Sequence, residues 1–144
     1  MTRQINFDMD GTIANLYAVD GWLECIIARD TKPYVEAEPL VNLSALARVL
    51  NRLQREGWEI NIISWLAKNS TNDYDARVTE AKIGWLKKHL PSIKWDNIYI
   101  VAYGTPKQTL GQGILFDDEK PNRDNWNGVA YDVNDIINTL KKIA

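Results

Sequence analysis

Short apolar runs alternate along the chain with longer segments in which apolar residues recur every three or four positions. Five of the runs predict β-strands, at residues 5–8, 58–64, 98–103, 113–117 and 129–132. Several are apolar without a break, which is typical of strands that are covered on both faces. Such strands indicate a parallel sheet buried inside the protein.

Helical patterns lie between the predicted strands, at residues 43–53, 74–86 and 136–143. We expect Gly57 to end the first helix and Pro91 to stop the second. The predicted N-caps are Asn72 or Asp73 for the second helix and Asn134 for the third. This alternation predicts an α/β fold, a doubly wound, five-stranded parallel sheet with helices on both faces.

Residues 14–39 interrupt the alternation. They hold one short helical pattern around Trp22 and Ile26, followed by a stretch that contains Pro33 and Pro39. We interpret this segment as a small, cap-like insertion after the first strand. The rest of the chain fits around it as a single domain that spans residues 1–144.

Two acids follow the first predicted strand, in the sequence Phe-Asp-Met-Asp-Gly-Thr. Asp8 and Asp10 are two positions apart, and side chains at that spacing share one face of a strand. Two carboxylates so close together repel each other unless a cation lies between them. A nucleophilic carboxylate, a second carboxylate for proton transfer and a divalent metal ion form a coherent catalytic set.

Three further strand ends carry polar side chains in a definite order. Ser64 and Trp65 end the second predicted strand, Lys107 follows the third, and Asp117 and Asp118 follow the fourth. In an open parallel sheet the carboxyl ends of the strands lie along one edge, where ligands bind. We therefore expect these side chains to meet the first acid pair at a single site.

The convergent set predicts a phosphoryl-transfer site that works by positioning and charge neutralisation. The candidates for binding the phosphoryl group are Ser64, Lys107 and the backbone N–H groups of Gly11 and Trp65. Hard carboxylate oxygens favour Mg²⁺ over zinc, and His89 is the only histidine that could serve as a zinc ligand. The predicted cofactor is Mg²⁺.

Composition narrows the choice of partners. The chain has 17 basic and 19 acidic residues, a net charge of −2 and no basic block. We therefore expect no strong binding to nucleic acid, and a small phosphorylated molecule as the substrate. The single cysteine, Cys25, excludes an internal disulfide and favours a reducing compartment. No apolar run has membrane-spanning length and no signal-peptide pattern is visible, so we expect a cytoplasmic protein. Monomer and homodimer both stay open.

The order of the motifs resembles that of the haloacid dehalogenase superfamily of phosphatases. The resemblance implies that Asp8 is the nucleophile and that Asp10 is the general acid/base. It also implies that the Asp8 side chain and the Asp10 backbone carbonyl hold Mg²⁺, together with one acid of the later pair. Asp118 is the favoured direct ligand, and Asp117 then orients water or Lys107.

A closer resemblance is to the 5′(3′)-deoxyribonucleotidase branch, the cytosolic type C 5′-nucleotidases. Residues 7–17 are similar to the first motif of that branch, and residues 80–90 resemble its helix after the second motif. Residues 114–121 resemble its last motif, with Lys107 ten residues before Asp117. Members of the branch carry a sizeable helical cap, which is much reduced here. The resemblance implies a nucleotidase that releases phosphate from deoxynucleoside monophosphates.

Two other interpretations follow from the same residues. One is a phosphatase of this superfamily that acts on a sugar phosphate or on a nucleic-acid terminus. The other is a receiver-like or catalytically silent phospho-binding domain, but Lys107 precedes the second acid pair, whereas a receiver has its lysine last. For a nucleotide substrate, we expect Trp65 beside the site to stack on a base, with Trp22 as the opposite wall.

Overall fold

A five-stranded parallel sheet forms the centre of the computed structural model, which describes residues 3–144. The strands are β1 (Gln4–Phe7), β2 (Ala14–Asn15), β3 (Glu38–Pro39), β4 (Glu59–Trp65), β5 (Asn97–Val101), β6 (Ile114–Phe116) and β7 (Val129–Tyr131). Five of them form the sheet in the order β5-β4-β1-β6-β7, with every neighbouring pair parallel. β2 and β3 form a separate antiparallel pair. The predicted α/β fold is confirmed.

Helices cover the two faces of the sheet unequally. They are α1 (Trp22–Ile27), α2 (Lys32–Glu36), α3 (Leu43–Arg55), α4 (Asn72–His89), α5 (Lys120–Asn125) and α6 (Ile136–Ile143). α3, α6 and the C-terminal half of α4 contribute to a large apolar cluster that includes Ile62 of β4. A smaller cluster contains Ile63, Leu115 and Trp126. Because Ile62 and Ile63 are successive in β4, the two clusters lie on opposite faces of the sheet.

Two short helices were not predicted. α2 and α5 both begin with a Lys-Pro pair, Lys32-Pro33 and Lys120-Pro121, in which proline occupies the first helical turn. Proline is well suited to that position because its fixed φ angle fits the helix and its missing N–H would have no partner there. Helices of five and six residues are too short to give a recognisable period of apolar positions.

The predicted N-caps of two helices are wrong. The cap of α4 is Thr71, whose hydroxyl accepts a hydrogen bond from the Tyr74 N–H, while the two residues predicted to cap it lie inside the helix. Asn134 does not cap α6, because it lies within a 3₁₀ turn that runs directly into the helix. That turn is instead capped by the side chain of Asp132. Extended backbone at Thr71 and Asp132, rather than residue type alone, selects the capping residue.

A row of three asparagines crosses the sheet and sets the register of its strands. Asn6, Asn61 and Asn97 occupy paired positions on β1, β4 and β5. The Asn97 side chain donates to Asn61 at 3.1 Å, and the Asn61 side chain donates to Asn6 at 3.0 Å. Asn6 then donates to the backbone carbonyls of Gln112 and Ile114. A shift of one residue would point these amides to the opposite face, so the row fixes the strand ends relative to one another.

None of the helices within residues 3–144 is long and apolar enough to cross a membrane.

Replacing Asn61 with Ala should lower the free energy of unfolding by about 1–3 kcal/mol, because the change leaves the buried Asn6 carbonyl oxygen without its donor. Asn97→Ala is the matched control. Asn97 lies exposed on the edge strand β5, so removing its side chain opens the Asn61 oxygen to water, which replaces the lost hydrogen bond, and the loss should stay below about 1 kcal/mol. Urea unfolding followed by circular dichroism measures both values. Equal, small losses in the two variants would show that the row does not stabilise the sheet.

Candidate active site

The carboxyl ends of the central strands border a cleft of about 570 Å³. Its polar end is formed by Asp8, Asp10, Lys107 and Asp118, and its walls are mainly apolar and aromatic. The chain therefore brings side chains from three separate strand ends to one place. The cleft lies on the side of the sheet where α/β proteins of this type bind their ligands.

Lys107 ties together two of these strand ends. Its ammonium group lies 2.9 Å from an oxygen of Asp8 and 2.8 Å from an oxygen of Asp117, and its side chain is almost completely buried. Burial disfavours the charged form of Lys107, but the two carboxylates outweigh burial and raise its pKa. Lys107 therefore stays protonated and holds Asp8 in a fixed position.

Asp117 is fully engaged by protein groups. One carboxylate oxygen accepts the Glu119 N–H at 2.9 Å, and the other accepts hydrogen bonds from Lys107 and Asn122. Burial raises the pKa of Asp117 to about 6, with the Asp8 charge adding to the effect and Lys107 opposing it. These contacts suit a residue that orients Lys107. Asn122, which lies on the unpredicted helix α5, was missed by the sequence analysis.

Asp118 faces the cleft close to Asp8. One carboxylate oxygen from each of Asp8, Asp117 and Asp118 lies within 4.8 Å of the other two, which is a spacing at which three acids can share a cation. Burial, followed by the nearby Asp8 charge, raises the pKa of Asp118 to about 8. Thr12 donates a hydrogen bond to the second Asp8 oxygen at 2.9 Å, and the sequence analysis did not single out this contact.

Gly11 is required by the geometry beside Asp118. Its φ angle is +81°, and a Cβ atom placed on it would collide with the Asp118 carboxylate. Both observations exclude other residues from this position. The Gly11 N–H, which was predicted to bind phosphate, already donates to the Ala14 carbonyl at 2.8 Å. The structure thus supports a steric role for Gly11 and gives no support to the predicted N–H contact.

Ser64 lies near the end of β4, as predicted, and is completely buried. Its hydroxyl accepts a hydrogen bond from the Lys82 ammonium at 2.6 Å. Neither Ser64 nor Lys82 lines the cleft. The hydroxyl therefore holds a buried lysine of α4 in place, and its predicted contact with phosphate stays a prediction.

Lys82 is the most informative residue that the sequence analysis did not assign to the site. Its ammonium group also lies 3.0 Å from an Asp10 oxygen and 2.7 Å from the Trp65 carbonyl oxygen. A signal was available, because Lys82 follows Val78 by four residues and precedes Trp85 by three. It therefore lies on the apolar face of α4, and a lysine at such a position is expected to be buried.

Asp10 owes its position to Lys82 and to a local bridge, not to strand alternation. β1 ends at Phe7, before both acids, so the predicted sharing of one strand face is wrong. Asp10 instead forms an isolated bridge with Ala14. Burial raises the pKa of Asp10, Lys82 opposes this effect and the Asp8 charge adds to it. A raised pKa suits a carboxyl group that donates a proton.

Aromatic side chains form two walls of the cleft. On one wall, Trp65 packs against Tyr103 with 5.0 Å between ring centroids, and its indole N–H donates to the Thr105 carbonyl. On the other, Trp22 of α1 contacts Tyr17 edge to face at 4.9 Å. Trp65 and Trp22 therefore line the same cleft, as expected.

Replacing Lys82 with Met should lower the free energy of unfolding by about 3 kcal/mol, because the change leaves the Asp10 carboxylate without its ion-pair partner. Adding Asp10→Asn should recover part of that loss, since the neutral amide needs no counter-charge. Lys88→Met, at an exposed position on the same helix, is the control and should cost below about 0.5 kcal/mol. Strictly additive losses in the double variant would contradict the ion pair. Chemical unfolding gives the loss for Lys82→Met, for Asp10→Asn alone, for the double variant and for Lys88→Met.

A comparison with protein-family models supplies an independent assignment. The family described as 5′ nucleotidase, deoxy (pyrimidine), cytosolic type C matches residues 34–140. This span includes Lys82, Lys107 and the later acid pair, and it begins after the first motif. A search of curated proteins gave no match. Because the matched span covers most of the chain, the protein belongs to this family of 5′-nucleotidases, which are phosphoric monoester hydrolases.

Proposed function

We propose that this protein releases phosphate from deoxynucleoside monophosphates with the help of Mg²⁺, through an aspartyl phosphate on Asp8. The observation that carries the proposal is the setting of Asp8 in the cleft. One of its oxygens is held by Lys107 and the other by Thr12. A carboxylate fixed in this way can meet a phosphorus atom without first losing conformational freedom.

Asp8 is proposed as the nucleophile. Its oxygen forms a bond to phosphorus while the bond from phosphorus to the leaving oxygen breaks. Asp10 donates a proton to that leaving oxygen, which departs as the free hydroxyl of the nucleoside. Asp10 then accepts a proton from a water molecule that attacks the phosphorus. Inorganic phosphate leaves, and the Asp8 carboxylate is restored.

The residues at the polar end of the cleft fit a hard divalent cation. Three carboxylates share a small volume, and the raised pKa of Asp118 reflects the repulsion and burial that a cation would relieve. Asp8 and Asp118 are the proposed side-chain ligands, with the Asp10 backbone carbonyl, because Asp117 is occupied by other partners. When bound, Mg²⁺ neutralises charge on the phosphoryl oxygens and helps to position them.

Lys107 and Trp65 are proposed to bind the phosphoryl group, as both border the cleft. Lys107 supplies a fixed positive charge, and the Trp65 backbone is anchored by the contact of its carbonyl with Lys82. Ser64 supports the same contact, because its hydroxyl accepts a hydrogen bond from the Lys82 ammonium. The Lys107 charge and the Trp65 backbone are thus held in place before the substrate arrives.

We further propose that the chain is one domain in which residues 14–39 act as a small cap. This segment contributes Tyr17, Trp22 and Tyr34 to the cleft. Together with Trp65 and Tyr103 they form an aromatic enclosure, which suits the flat base of a nucleotide better than a sugar.

Replacing Asp8 with Asn should reduce the release of phosphate from deoxythymidine 5′-monophosphate by at least about 10³-fold, because the amide cannot act as the nucleophile. Asp20→Asn, at an exposed position outside the cleft, is the control and should keep wild-type activity. Both variants are checked for native circular dichroism. Wild-type turnover in the folded Asp8 variant would refute the assignment.

Adding Mg²⁺ should raise the melting temperature of the wild-type protein, because a bound cation stabilises the folded state alone. Asp118→Asn should lose most of this increase, since it removes one proposed ligand. Asp124→Asn is the matched control, because Asp124 is an exposed acid paired with Lys120. Thermal unfolding with and without Mg²⁺ gives the comparison. Equal increases in all three proteins would argue against a site at Asp118.

A further inference from the structure

Two cations at the outer part of the cleft have no role in the chemistry described above. Arg29 follows α1 and Lys68 follows β4, and both line the same cleft as the acids. Among the ion pairs formed within residues 3–144, neither side chain has a carboxylate partner. Two uncompensated positive charges from separate segments therefore border a substrate cleft.

Helix α4 shows how far Arg29 lies from the reacting end. The Arg29 guanidinium carbon is 5.8 Å from the ring centroid of Tyr74, in the first turn of α4. Lys82, which contacts Asp10, follows Tyr74 by eight residues. Eight residues of α-helix span about 12 Å, so Arg29 contacts α4 about two turns before the residue that pairs with Asp10.

Lys68 is separated from the reacting end by two aromatic rings. Its ammonium group lies 6.0 Å from the ring centroid of Tyr103, which packs against Trp65. Lys107 lies 5.4 Å from the Trp65 ring on the inner side. One wall of the cleft therefore runs outward from the phosphoryl end through four side chains, in the order Lys107, Trp65, Tyr103 and Lys68.

The backbone around Arg29 is held in an unusual conformation. Arg29 and Asn69 have φ angles of +61° and +54°, and no other non-glycine residue from 3 to 144 has a positive φ. They are joined directly, because the Arg29 guanidinium donates to the Asn69 carbonyl at 2.6 Å. At Arg29 this conformation closes the C-terminus of α1, where the Arg29 N–H donates to the Ile26 carbonyl and the Asp30 N–H donates to the Cys25 carbonyl. The contact with Asn69 fixes Arg29 across the mouth of the cleft.

The guanidinium keeps donors for a ligand. It uses one nitrogen for the Asn69 carbonyl and makes a longer contact of 3.5 Å from another to the Ile26 carbonyl. An arginine carries five N–H donors, so several remain for an anion. Arginine binds phosphate oxygens in pairs, and a nearby lysine adds charge.

We propose that Arg29 and Lys68 form a second anion site, and that the preferred substrate class is nucleotides with a second phosphate, such as nucleoside 3′,5′-bisphosphates. The proposal rests on the nucleotidase function proposed above. With the 5′-phosphate at Asp8 and the base against the aromatic side chains, the sugar lies between the phosphate and the outer part of the cleft. The 3′-phosphate then points outward, where long arginine and lysine side chains can form ion pairs of about 4 Å.

Binding of two ligands tests the proposal without depending on turnover. Deoxythymidine 5′-monophosphate and deoxythymidine 3′,5′-bisphosphate are titrated by calorimetry into the Asp8→Asn protein in the presence of Mg²⁺. The bisphosphate should bind about tenfold more tightly, as expected for two partly exposed charge pairs. Raising the salt concentration from about 0.05 M to 0.3 M should reduce this preference, because salt screens exposed charges.

Variants of the two cations then identify the source of the preference. Arg29→Gln and Lys68→Gln, each made in the Asp8→Asn protein, should lower the affinity ratio about threefold, and the combined change should bring it close to one. Lys68→Gln is informative even if Arg29→Gln disturbs the Asn69 contact, because within residues 3–144 the Lys68 ammonium contacts the Tyr103 ring and makes no hydrogen bond. Lys142→Gln, at an exposed position on α6, controls for net charge and should leave the ratio unchanged.

The outcomes separate the two proposals. An affinity ratio near one in the Asp8→Asn protein, or a ratio that neither cation variant changes, overturns the second anion site. Turnover of the monophosphate by the wild-type protein is measured separately and tests the proposed function. A protein that hydrolyses the monophosphate but binds the two nucleotides equally would keep the proposed function and lose only the second site.

Discussion

The buried ion pairs of Lys107 with Asp8 and Asp117 are the contacts on which the site depends, since they join strand ends ninety-nine and ten residues apart in sequence. Lys82 makes the equivalent contact with Asp10. Two lysines thus face the four acids of these strand ends, and two negative charges remain when all are ionised. Unpaired charge is costly inside a protein. The same imbalance makes the site suitable for a divalent cation and for a phosphoryl group held by fixed positive charges.

The rest of the fold serves to hold these charges in register. The asparagine row aligns β1, β4 and β5, so the residues that follow them reach the cleft at fixed heights. Thr71 caps the N-terminus of α4, and a helix that starts there has Lys82 on its buried face. Residues 14–39 then add an aromatic wall to the cleft instead of a large cap. Family membership gives the activity class.

Much of this arrangement could be predicted from the sequence, because apolar runs mark the strands and acids at strand ends mark the site. The role of Ser64 could not, since a hydroxyl at a strand end looks the same whether it faces a ligand or a buried lysine. The position of Lys82 on the apolar face of α4 indicated its burial, but not the partners of its ammonium group. The grouping of Asp8 and Asp10 was expected for the wrong reason, as β1 ends before them. α2 and α5 were missed because so few residues give no periodic signal. Contacts that depend on backbone conformation, such as Gly11 against Asp118, appear only in three dimensions.

Chemical trapping of the phosphorylated residue tests whether Asp8 is the nucleophile. The wild-type protein is mixed with a deoxynucleoside monophosphate and Mg²⁺, stopped during turnover and treated with borohydride, which reduces an acyl phosphate to an alcohol. Peptide mass spectrometry then locates the reduced side chain. We expect reduction at Asp8 and at no other acid of the cleft. Reduction at Asp10, Asp117 or Asp118, or rapid phosphate release with no reduced aspartate at any time point, would contradict this role of Asp8.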